Sequence, residues 1–448
     1  MSVSKSHRKI GVFSHGGTSN LGDEALVAAV IQNVRRRIPD AEIIGFSMNP
    51  EDTRLRHHIP CFPIRRLTPP AQAAPPAMDS SVAKSVQTSP RLTPLAKIKE
   101  TVKTIPGLSQ LLYGLRNLTR AALNVVSEAR FLLASYRRLK GVDLLLVAGS
   151  QQLNDIYGPW GFPYTLYKWT TLAKINSTKV ALLSVGAGPI KSPFSQFLIR
   201  RVLNAADYRS YRDSISSHLV ESIGVKGLHP VFPDLVYSLQ LPAPKPVTDN
   251  ARAVVGTNPV PFFDGRYWRT PDPARYQEYV HKIVNFAEWL EKTGHSILFF
   301  PTQFRADVRT ISDILQSMNG LSHSPNILSR SDIHSLEDLI TEISRADLVV
   351  ANRYHGILLS LMMNKPVLGI AYHEKSRALL AQVGQGDYVV NVADFKLEEI
   401  IERFSALEAN APAIKKQIAE HMAPLRRALE RQYDQVFSLI GVNPAEAG

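Results

Sequence analysis

The stretch KIGVFSHGGTSNLGDEALVAAVIQNVRRR, residues 9–37, decides the fold class of this chain. Residues 9–14 are apolar enough to predict a short buried strand, and residues 25–37 carry the apolar spacing of a helix. The loop between them, residues 15–24, contains three glycines. A strand, a glycine loop and a helix in this order predict an α/β fold whose parallel sheet is covered by helices.

The same alternation continues outward along the 448 residues, and it favours parallel sheets over a sandwich or a helix bundle. Further strands are predicted at 41–46, 143–148, 179–185, 206–211, 252–257, 296–301, 346–351 and 366–370. Helices of the second half are predicted at 274–292, 305–318, 335–344, 356–363 and 413–439. We therefore expect two domains, 1–240 and 241–448, joined by a Pro-rich linker at 241–250.

Composition narrows the class of protein. The single cysteine, Cys61, excludes a disulfide framework and a cysteine-rich metal site, which fits a reducing cytoplasm. The polar, basic residues 1–9 do not form a signal peptide. No window reaches roughly 18 uninterrupted apolar residues, so no membrane-spanning helix is predicted.

The net charge of +13 is concentrated in one region. Residues 51–140 hold 15 Lys and Arg against 5 Asp and Glu, an excess of +10. Because zinc-finger spacing, a helix-turn-helix pattern and aromatic-basic RNA signatures are missing from the sequence, we expect no nucleic-acid partner. An anionic substrate or an acidic membrane surface explains the charge with fewer assumptions.

The basic region coincides with a predicted insertion in the first domain, at about 65–140. It begins with Pro-rich, polar sequence at 69–94, which predicts loose packing, and continues with a basic helical stretch at 105–140. Six apolar side chains recur there at helical spacing: Ile105, Leu108, Leu111, Leu112, Leu115 and Leu118. Such a stretch can lie in the headgroup layer of an anionic membrane. Packing against the first domain as an ordinary surface helix is the alternative.

Residues 346–356, ADLVVANRYHG, are predicted to deliver an arginine and a histidine to the carboxyl end of a buried strand. Ligands of open α/β sheets bind at that edge. Arg353 can hold a carboxylate or phosphate by two parallel hydrogen bonds, and His355 can move protons near neutral pH. Gly356 lets the backbone turn closely beneath a bound group. An arginine–carboxylate structural pair with a capping histidine is the alternative.

Two further cations follow predicted strands. Arg212 comes after the strand at 206–211, and Lys375 comes after the strand at 366–370. Both can meet an anion at the carboxyl edge of their sheet. The alternatives are a helix capped by Asp213 with Arg212 solvated, and a solvated loop lysine.

The glycine loop resembles a phosphate cradle, although it lacks the P-loop lysine and the full dinucleotide fingerprint. Backbone N–H groups at a helix start can bind an anion; a tight strand-to-helix turn is the alternative. The candidate contacts are Gly17, Asn20, Gly22 and Asp23, together with Gly186 and Gly188 of a second glycine turn.

Taken together, these residues resemble the polysaccharide pyruvyl transferases. The order and approximate spacing agree over nearly the whole chain. The matching motifs are the loop 17–26 ending in Gly-Asp-Glu-Ala-Leu, Gly-Ala-Gly-Pro at 186–189, Arg-Asp-Ser at 212–214, Asp234, Arg-Tyr-His-Gly at 353–356 and Lys375. The resemblance implies two Rossmann-like domains facing across a cleft, similar to the two-domain (GT-B-like) glycosyltransferases.

The resemblance also implies an activity, the transfer of the enolpyruvyl group of phosphoenolpyruvate onto two hydroxyls of a sugar as a ketal, in cell-surface polysaccharide biosynthesis. Arg212 and Arg353 are then ligands of the donor's phosphate and carboxylate, with Lys375 and Gly356 beside them, and His355 is the acid or base. Two bidentate guanidiniums suit a donor that is negative at both ends. No metal and no cofactor is required.

The chain departs from the family after the third strand of the first domain. Where members have a glycine triplet, it has AGSQQLND at 148–155, in a loop expected to face the acceptor. Gln151 and Asn154 are therefore candidate acceptor contacts. Trp160 and Trp268, in aromatic clusters at 157–164 and 262–268, are candidate sugar platforms; core or lid packing is the alternative.

The expected partners are phosphoenolpyruvate and a sugar or lipid-linked oligosaccharide. If the insertion binds lipid, the protein lies peripherally at the inner face of the cell membrane. Two alternative functions stay open: a GT-B-type glycosyltransferase using a nucleotide sugar, and a catalytically inactive, membrane-associated assembly factor.

Overall fold

The computed structural model describes residues 7–17, 20–66, 108–241, 252–268, 270–318, 324–330 and 333–442, with only the backbone of 108–122. In these ranges the strands form two six-stranded sheets in which every pairing is parallel. The predicted α/β fold with two Rossmann-like sheets is confirmed.

The first sheet contains β1 Lys9–Phe13, β2 Glu42–Ser47, β3 Cys61–Pro63, β4 Leu144–Ala148, β5 Lys179–Val185 and β6 Tyr208–Tyr211, in the order β3-β2-β1-β4-β5-β6. The helices of the first half of the chain, in order, are α1 Leu21–Arg37, α2 Pro50–His57, α3 Leu108–Leu139, α4 Phe162–Ile175, α5 Pro193–Ala205 and α6 Ser214–Ser222, followed by a 3-10 turn at Leu235–Ser238.

The second sheet contains β7 Val254–Asn258, β8 Ser296–Phe299, β9 Ile327–Ser329, β10 Leu348–Ala351, β11 Val367–Ala371 and β12 Val389–Asn391. Its order, β12-β11-β10-β7-β8-β9, repeats the path of the first sheet. Its helices are α7 Pro273–Lys292, α8 Phe304–Ser317, α9 Leu336–Arg345, α10 Tyr354–Met362, α11 Glu374–Gln382, α12 Leu397–Ala409 and α13 Ala411–Ser438.

The cores follow from the apolar strands. All five residues of β4, LLLVA, and of β11, VLGIA, are buried, because helices cover both faces of a parallel sheet. Each fully buried Leu in such a strand contributes about 1.5–3 kcal/mol through the surface it removes from water. Because this packing surrounds the strands, it also orders the strand ends and the side chains attached to them.

The strands that the sequence did not predict are short. β3, β9 and β12 have three residues each, which is too few to produce a period-two pattern. The predicted boundary between two domains near residue 241 stays a prediction, because residues 242–251 lie outside the described ranges.

The last helix returns to the first sheet. In α13, Gln432 is hydrogen-bonded to Ser184 of β5 and Ser210 of β6. Arg37, at the end of α1, bonds both Glu430 and Asp434 of α13. The final part of the chain therefore completes the packing of its first half.

Residues 65–140 form a compact unit separate from the one that holds both sheets, 1–64 and 141–448. Most of the described part of this insertion is α3, which exposes Leu123, Val126 and Leu133. Of the predicted apolar stripe, Ile105 and the side chains of the five leucines lie outside the described residues. Within the described ranges, no helix combines the length and apolar character needed to cross a bilayer.

Candidate active site

The carboxyl edges of the two sheets meet. The backbone N–H of Leu21, at the start of α1, donates to the carbonyl oxygen of Thr302 after β8 over 3.0 Å, and Asn20 forms an isolated β-bridge with Gln303. The Lys375 Nζ, in the first turn of α11, donates to Oε1 of Gln151 after β4 over 2.9 Å. Loops from both halves therefore build one site.

The glycine loop of the first half is held by a buried carboxylate. Glu24 accepts the N–H of Gly17 at Oε1 over 2.7 Å, and its Oε2 lies 2.8 Å from Nε2 of His57. Gly17 has φ +86, and a Cβ there would lie 2.4 Å from the Cβ of Asn49. Gly17 thus serves a tight strand-to-helix turn.

The described N–H groups of this loop are bonded within the protein, and the expected phosphate cradle stays a prediction, because residues 18 and 19 lie outside the described ranges. Asn20 caps α1, its Oδ1 accepting from Gly22 and its carbonyl oxygen from Asp23 and Glu24, while Leu21 bonds Thr302. The N–H groups of residue 17 and residues 21–24 are therefore all bonded to protein, and none of them is left for an anion.

Gly22 has a different role, since the ring of His355 lies directly on it. A Cβ at Gly22 would lie 2.0 Å from Nδ1 of His355. The Nε2 of His355 is buried and has no hydrogen-bond partner among the described residues. Burial lowers the pKa of His355 to about 4, with Asp234 opposing and Arg212 reinforcing the change. The imidazole is therefore neutral near pH 7 and can accept a proton.

Arg353 follows β10 and is bound to a buried carboxylate. Its Nε and Nη2 donate to Oδ1 of Asp307 over 3.1 and 2.6 Å. The other oxygen of Asp307 accepts the N–H groups of Thr302 and Gln303. Burial opposes the charged guanidinium, but Asp307 and Tyr372 outweigh it and raise the pKa of Arg353. Arg353 therefore does form the arginine–carboxylate pair considered as an alternative, and this pair holds the guanidinium in place.

Arg353 also faces open space. It lines a cavity of ≈250 Å³ together with Val260, Tyr267, Trp268, Gln303 and Tyr372. These residues follow β7, β8, β10 and β11, so the cavity lies at the carboxyl edge of the second sheet, where open α/β sheets bind ligands.

Gly356 is needed for a reason other than the one expected. A Cβ there would lie 2.5 Å from Oδ1 of Asn258, at the end of β7. The amide of Asn258 donates to the carbonyl oxygen of Phe300 and is fully buried. This glycine therefore lets α10 start against the neighbouring strand, and the expected approach of its backbone to a ligand stays a prediction.

Arg212 enters the site from the first half. Its side chain is 9% exposed, and its Nη1 donates to Oδ2 of Asp234 over 3.3 Å. The guanidinium lies 5.1 Å above the ring of Tyr354, a cation–π contact. Burial opposes its charge, but Tyr354, Asp234 and Asp213 raise its pKa. Arg212 remains charged beside the buried ring of His355.

Lys375 shares this environment. Burial and the charge of Arg212 lower its pKa to about 8, although Asp213 and Asp234 oppose the change. Two cations close enough to perturb each other gain when an anion joins them.

Asp23 introduces a second titratable group beside His355, because it follows Gly22 in the first turn of α1. Its Oδ1 accepts from the hydroxyl of Ser150 over 3.2 Å, and its Oδ2 accepts from the amide of Asn20 over 2.9 Å. Burial raises its pKa to about 6, against the opposing effect of Ser150.

The second glycine turn makes room for side chains. A Cβ at Gly186 would lie 3.1 Å from Nη2 of Arg212, and one at Gly188 would lie 2.6 Å from Nε2 of Gln151. The Asn154 amide is spent on its own loop, donating to the carbonyl oxygen of Gln151 and accepting the N–H of Ile156. The Asn154 side chain thus holds its own loop, and its expected contact with the acceptor stays a prediction.

The two candidate tryptophans lie in different surroundings. Trp160 is 69% exposed and packs against Tyr164 and Phe194 on the surface of the first half. Trp268 packs against Phe263, with ring centroids 4.6 Å apart, and lines the cavity that contains Arg353. Among the described residues, Trp268 lies beside a predicted site residue, Arg353, and Trp160 does not.

Sequence reasoning missed the partners that orient the cations, chiefly Asp307, Tyr354 and Ser150. An acid in the first turn of α8 is an ordinary dipole partner, so Asp307 gave no separate signal. Within the described ranges, no three His, Cys, Asp or Glu side chains are arranged to hold a metal ion.

The chain is similar to known proteins in sequence and fold. A sequence model described as polysaccharide pyruvyl transferase matches residues 20–374. The amylovoran biosynthesis protein AmsJ of Erwinia amylovora is 20% identical over 305 residues, 63% of this chain and 69% of that protein.

Similar solved structures include the UDP-GlcNAc 2-epimerase of Methanocaldococcus jannaschii, at TM-score 0.51 and 11% identity, covering 89% of this chain and 92% of that one. A glycosyltransferase from Rickettsia africae ESF-5 matches at TM-score 0.50 and 10% identity, covering 96% and 99%. At such identities the likeness is one of fold, a two-domain GT-B-like arrangement. Since the family match runs from the cap of α1 to the first residue of α11, the chain belongs to the polysaccharide pyruvyl transferase family.

Proposed function

We propose that the protein transfers the enolpyruvyl group of phosphoenolpyruvate onto two hydroxyls of a sugar, as a cyclic ketal, during synthesis of a cell-surface polysaccharide. The observation that carries this proposal is the convergence of Arg212, Lys375 and the buried ring of His355 where the sheet edges meet. Family membership supports it, and the relative AmsJ is an amylovoran biosynthesis protein. The proposed reaction needs no metal and no cofactor.

Arg212 and Lys375 are suited to hold the donor. Their mutual repulsion contributes to the lowered pKa of Lys375, and a multiply charged anion between them relieves it. Arg353 adds a further grip through Nη1, which takes no part in its two bonds to Asp307. Because Asp307 fixes the guanidinium plane, little side-chain freedom is lost when the donor binds.

Proton transfer is divided between His355 and Asp23. Their surroundings move the two pKa values in opposite directions, to about 4 for His355 and about 6 for Asp23. Such a divergence is typical of an acid–base pair. We assign Asp23 as the acid that protonates the donor's methylene carbon, and neutral His355 as the base that takes a proton from the attacking hydroxyl.

The atoms balance over two additions. The C3 carbon of phosphoenolpyruvate gains a proton as the first sugar oxygen bonds to C2. The bond from C2 to the phosphate oxygen then breaks, and the second sugar oxygen bonds to C2. Of the two hydroxyl protons, one replaces the proton given to C3 and the other leaves with phosphate, so the protein ends in its starting protonation state.

The proposal is tested by incubating the purified chain with phosphoenolpyruvate and a panel of sugar, nucleotide-linked and lipid-linked acceptors. We expect phosphate release together with a mass gain of one pyruvyl ketal. We also expect phosphoenolpyruvate to raise the melting temperature, since a ligand that binds only the folded state stabilises it.

Two results contradict the proposal in different ways. Stabilisation by nucleotide sugars and not by phosphoenolpyruvate favours a glycosyltransferase. Binding of phosphoenolpyruvate without turnover on any acceptor favours an inactive assembly factor.

We further propose that the reaction takes place in the cytoplasm, with α3 in peripheral contact with anionic lipid. Leu123, Val126 and Leu133 are exposed at helical spacing, and the exposed Arg130 and Arg137 lie on the same face. Sedimentation with anionic vesicles at low salt is expected to exceed sedimentation with neutral vesicles, and to fall as salt screens the charges. Equal, negligible binding to both lipids refutes the contact.

A further inference from the structure

The cavity beside Arg353 differs from the other cavities of the described residues in its position and lining. It opens where β7, β8, β10 and β11 end, and three aromatic side chains, Tyr267, Trp268 and Tyr372, line it. Two other cavities among the described residues are each lined by a single aromatic side chain, Tyr276 beside Arg266 and Tyr388 beside Arg403. Aromatic rings at the ligand-binding edge of a sheet are typical of sites that recognise flat or ring-shaped ligands.

Two of the three aromatic side chains are partly exposed, while Trp268 packs against the core through Phe262 and Phe263. Tyr267 and Tyr372 are 38% and 37% exposed, so a large part of each ring faces solvent or a ligand. Gln303 adds a carboxamide that makes no hydrogen bond within the described residues while it lines the same space. An aromatic wall with one polar amide offers stacking to the C–H face of a sugar and a hydrogen bond to one of its hydroxyls.

The loop that carries this wall is fixed. Arg266 bonds both carboxylate oxygens of Asp264 and, through Nη2, the hydroxyl of Tyr276. Phe263 has φ +58, a left-handed conformation that bulky residues rarely adopt. A strained residue persists only where its surroundings hold it, and such residues cluster at ligand sites. These contacts restrain the loop that carries Tyr267 and Trp268.

The volume of this cavity limits how much of a ligand it can enclose. At ≈250 Å³, the cavity lies below the roughly 300–1,000 Å³ that enclose drug-sized ligands. It has room for one six-membered ring, and a nucleotide sugar or an oligosaccharide extends outside it.

Resting on the proposed function, we infer that this cavity is the acceptor subsite and that it recognises a single pyranose residue. The ring stacks on Tyr267 and Trp268, Gln303 bonds one of its hydroxyls, and its diol points toward the donor held at Arg353. The rest of the acceptor, whether glycan, lipid or nucleotide, contributes little to recognition. Simple monosaccharide glycosides should therefore be sufficient acceptors.

The test compares acceptor kinetics among single-site variants. Tyr267→Ala and Trp268→Phe are each expected to raise the acceptor KM by about threefold to tenfold, because they reduce aromatic contact with the ring. The KM for phosphoenolpyruvate should stay within twofold, about the scatter of such measurements. Phe197→Ala removes an exposed aromatic of α5 outside the site and serves as the matched control. Circular dichroism identifies any variant that fails to fold, and Gln303→Ala then provides a substitution that removes no ring.

A second measurement separates this inference from the proposed function. A panel of methyl pyranosides is titrated into the intact chain by calorimetry, with and without phosphoenolpyruvate. Saturable binding that Tyr267→Ala weakens supports the subsite, even if no pyruvyl transfer occurs. Unchanged acceptor KM and unchanged glycoside binding in the folded Tyr267→Ala and Gln303→Ala variants overturn it, even if transfer occurs. Turnover that requires a disaccharide or a nucleotide-linked sugar overturns recognition of a single ring.

Discussion

Arg212 follows the edge strand β6, whereas Arg353 lies two residues after the central strand β10, and the protein holds the two arginines differently. Arg353 donates two hydrogen bonds to Asp307, whose second oxygen is saturated by backbone N–H groups. Arg212 makes one longer bond to Asp234, lies over Tyr354 and is near a second cation, Lys375. Arg353 uses two of its nitrogens on one carboxylate, whereas Arg212 has Asp234, Asp213 and Tyr354 around it but donates a single hydrogen bond. Arg212 therefore keeps more hydrogen-bonding capacity for a ligand.

The two arginines also differ in the side chains that surround them. Arg212 perturbs the pKa of His355, of Lys375 and of Asp23, so it belongs to the group of titratable side chains. Arg353 has Asp307 as its ion-pair partner and faces the aromatic cavity. We therefore expect binding and protonation of the donor to depend mainly on Arg212 and its titratable neighbours. Arg353 should mainly fix the position of the bound substrates.

The largest expected effect compares Arg212→Lys with Arg353→Lys. Lysine keeps the charge but loses the planar, two-point grip. With two charge-assisted bonds at about 1.5–3 kcal/mol each, we expect Arg212→Lys to lower kcat/KM for phosphoenolpyruvate about 10²–10⁴-fold. Arg353→Lys should also be damaging, but only about 10–10²-fold, since two of its nitrogens already serve Asp307. If both variants lose kcat/KM equally in steady-state assays, the proposed difference between Arg212 and Arg353 is wrong.

His355→Ala tests whether the Arg212 side performs the proton transfer. Removing a proton-transfer residue is expected to lower turnover by at least about 10²-fold, while the dissociation constant for phosphoenolpyruvate stays nearly unchanged. Single-turnover kinetics and calorimetry provide the two numbers. Unchanged turnover contradicts the assignment, and a loss confined to donor affinity makes His355 a binding residue.

Asp23→Asn sharpens the comparison through pH. If protonated Asp23 is the acid, wild-type kcat/KM should fall as pH rises through its pKa of about 6, and the variant should be at least about 10²-fold slower without that decline. Because the folded pKa lies above the unfolded value of about 3.9, stability is lost as pH rises from about 4 to about 6. Above pH 6 the variant should therefore melt at a higher temperature than wild type. If the variant is slower but its kcat/KM still falls as pH rises through about 6, a group other than Asp23 is the acid.

Lys375→Met is expected to give the smallest effect, because Lys375 is half-buried and is one of several cations. Its pKa of about 8 means that its charge is lost as pH rises through that value. The wild-type KM for phosphoenolpyruvate should therefore rise above pH 8. In the variant, KM should be about tenfold higher near pH 7 and should vary little up to pH 9, as one charged contact is missing throughout. A variant that keeps the wild-type profile removes Lys375 from the donor site.

The sequence predicted the parts of this arrangement that depend on local pattern. The buried runs of β4 and β10 predict strands, and residues directly after them fall at the ligand edge, which is how Arg353 and His355 could be found. The three-residue strands were missed because their pattern is too short. The side-chain partners, Asp307 above all, could not be predicted since they come from loops far apart along the chain.

Glycines were the least predictable. Gly22 and Gly356 were both expected to approach a ligand, yet one carries the ring of His355 and the other makes room for Asn258. A glycine indicates that something lies close to the backbone, but the sequence does not say whether it is a ligand or the protein itself. The spacing of Gly22 and His355, 333 positions apart, contains no local signal of their contact.

The return of α13 to the first sheet has a consequence for how the chain is made. Translation delivers β5 and β6 more than two hundred residues before Gln432, which bonds both of them. At about 5–20 residues per second, the first half waits on the ribosome for tens of seconds with the polar faces of Ser184 and Ser210 uncovered. We therefore expect the first half of the nascent chain to be more accessible to chaperones and proteases until α13 has been synthesised and packs onto β5 and β6.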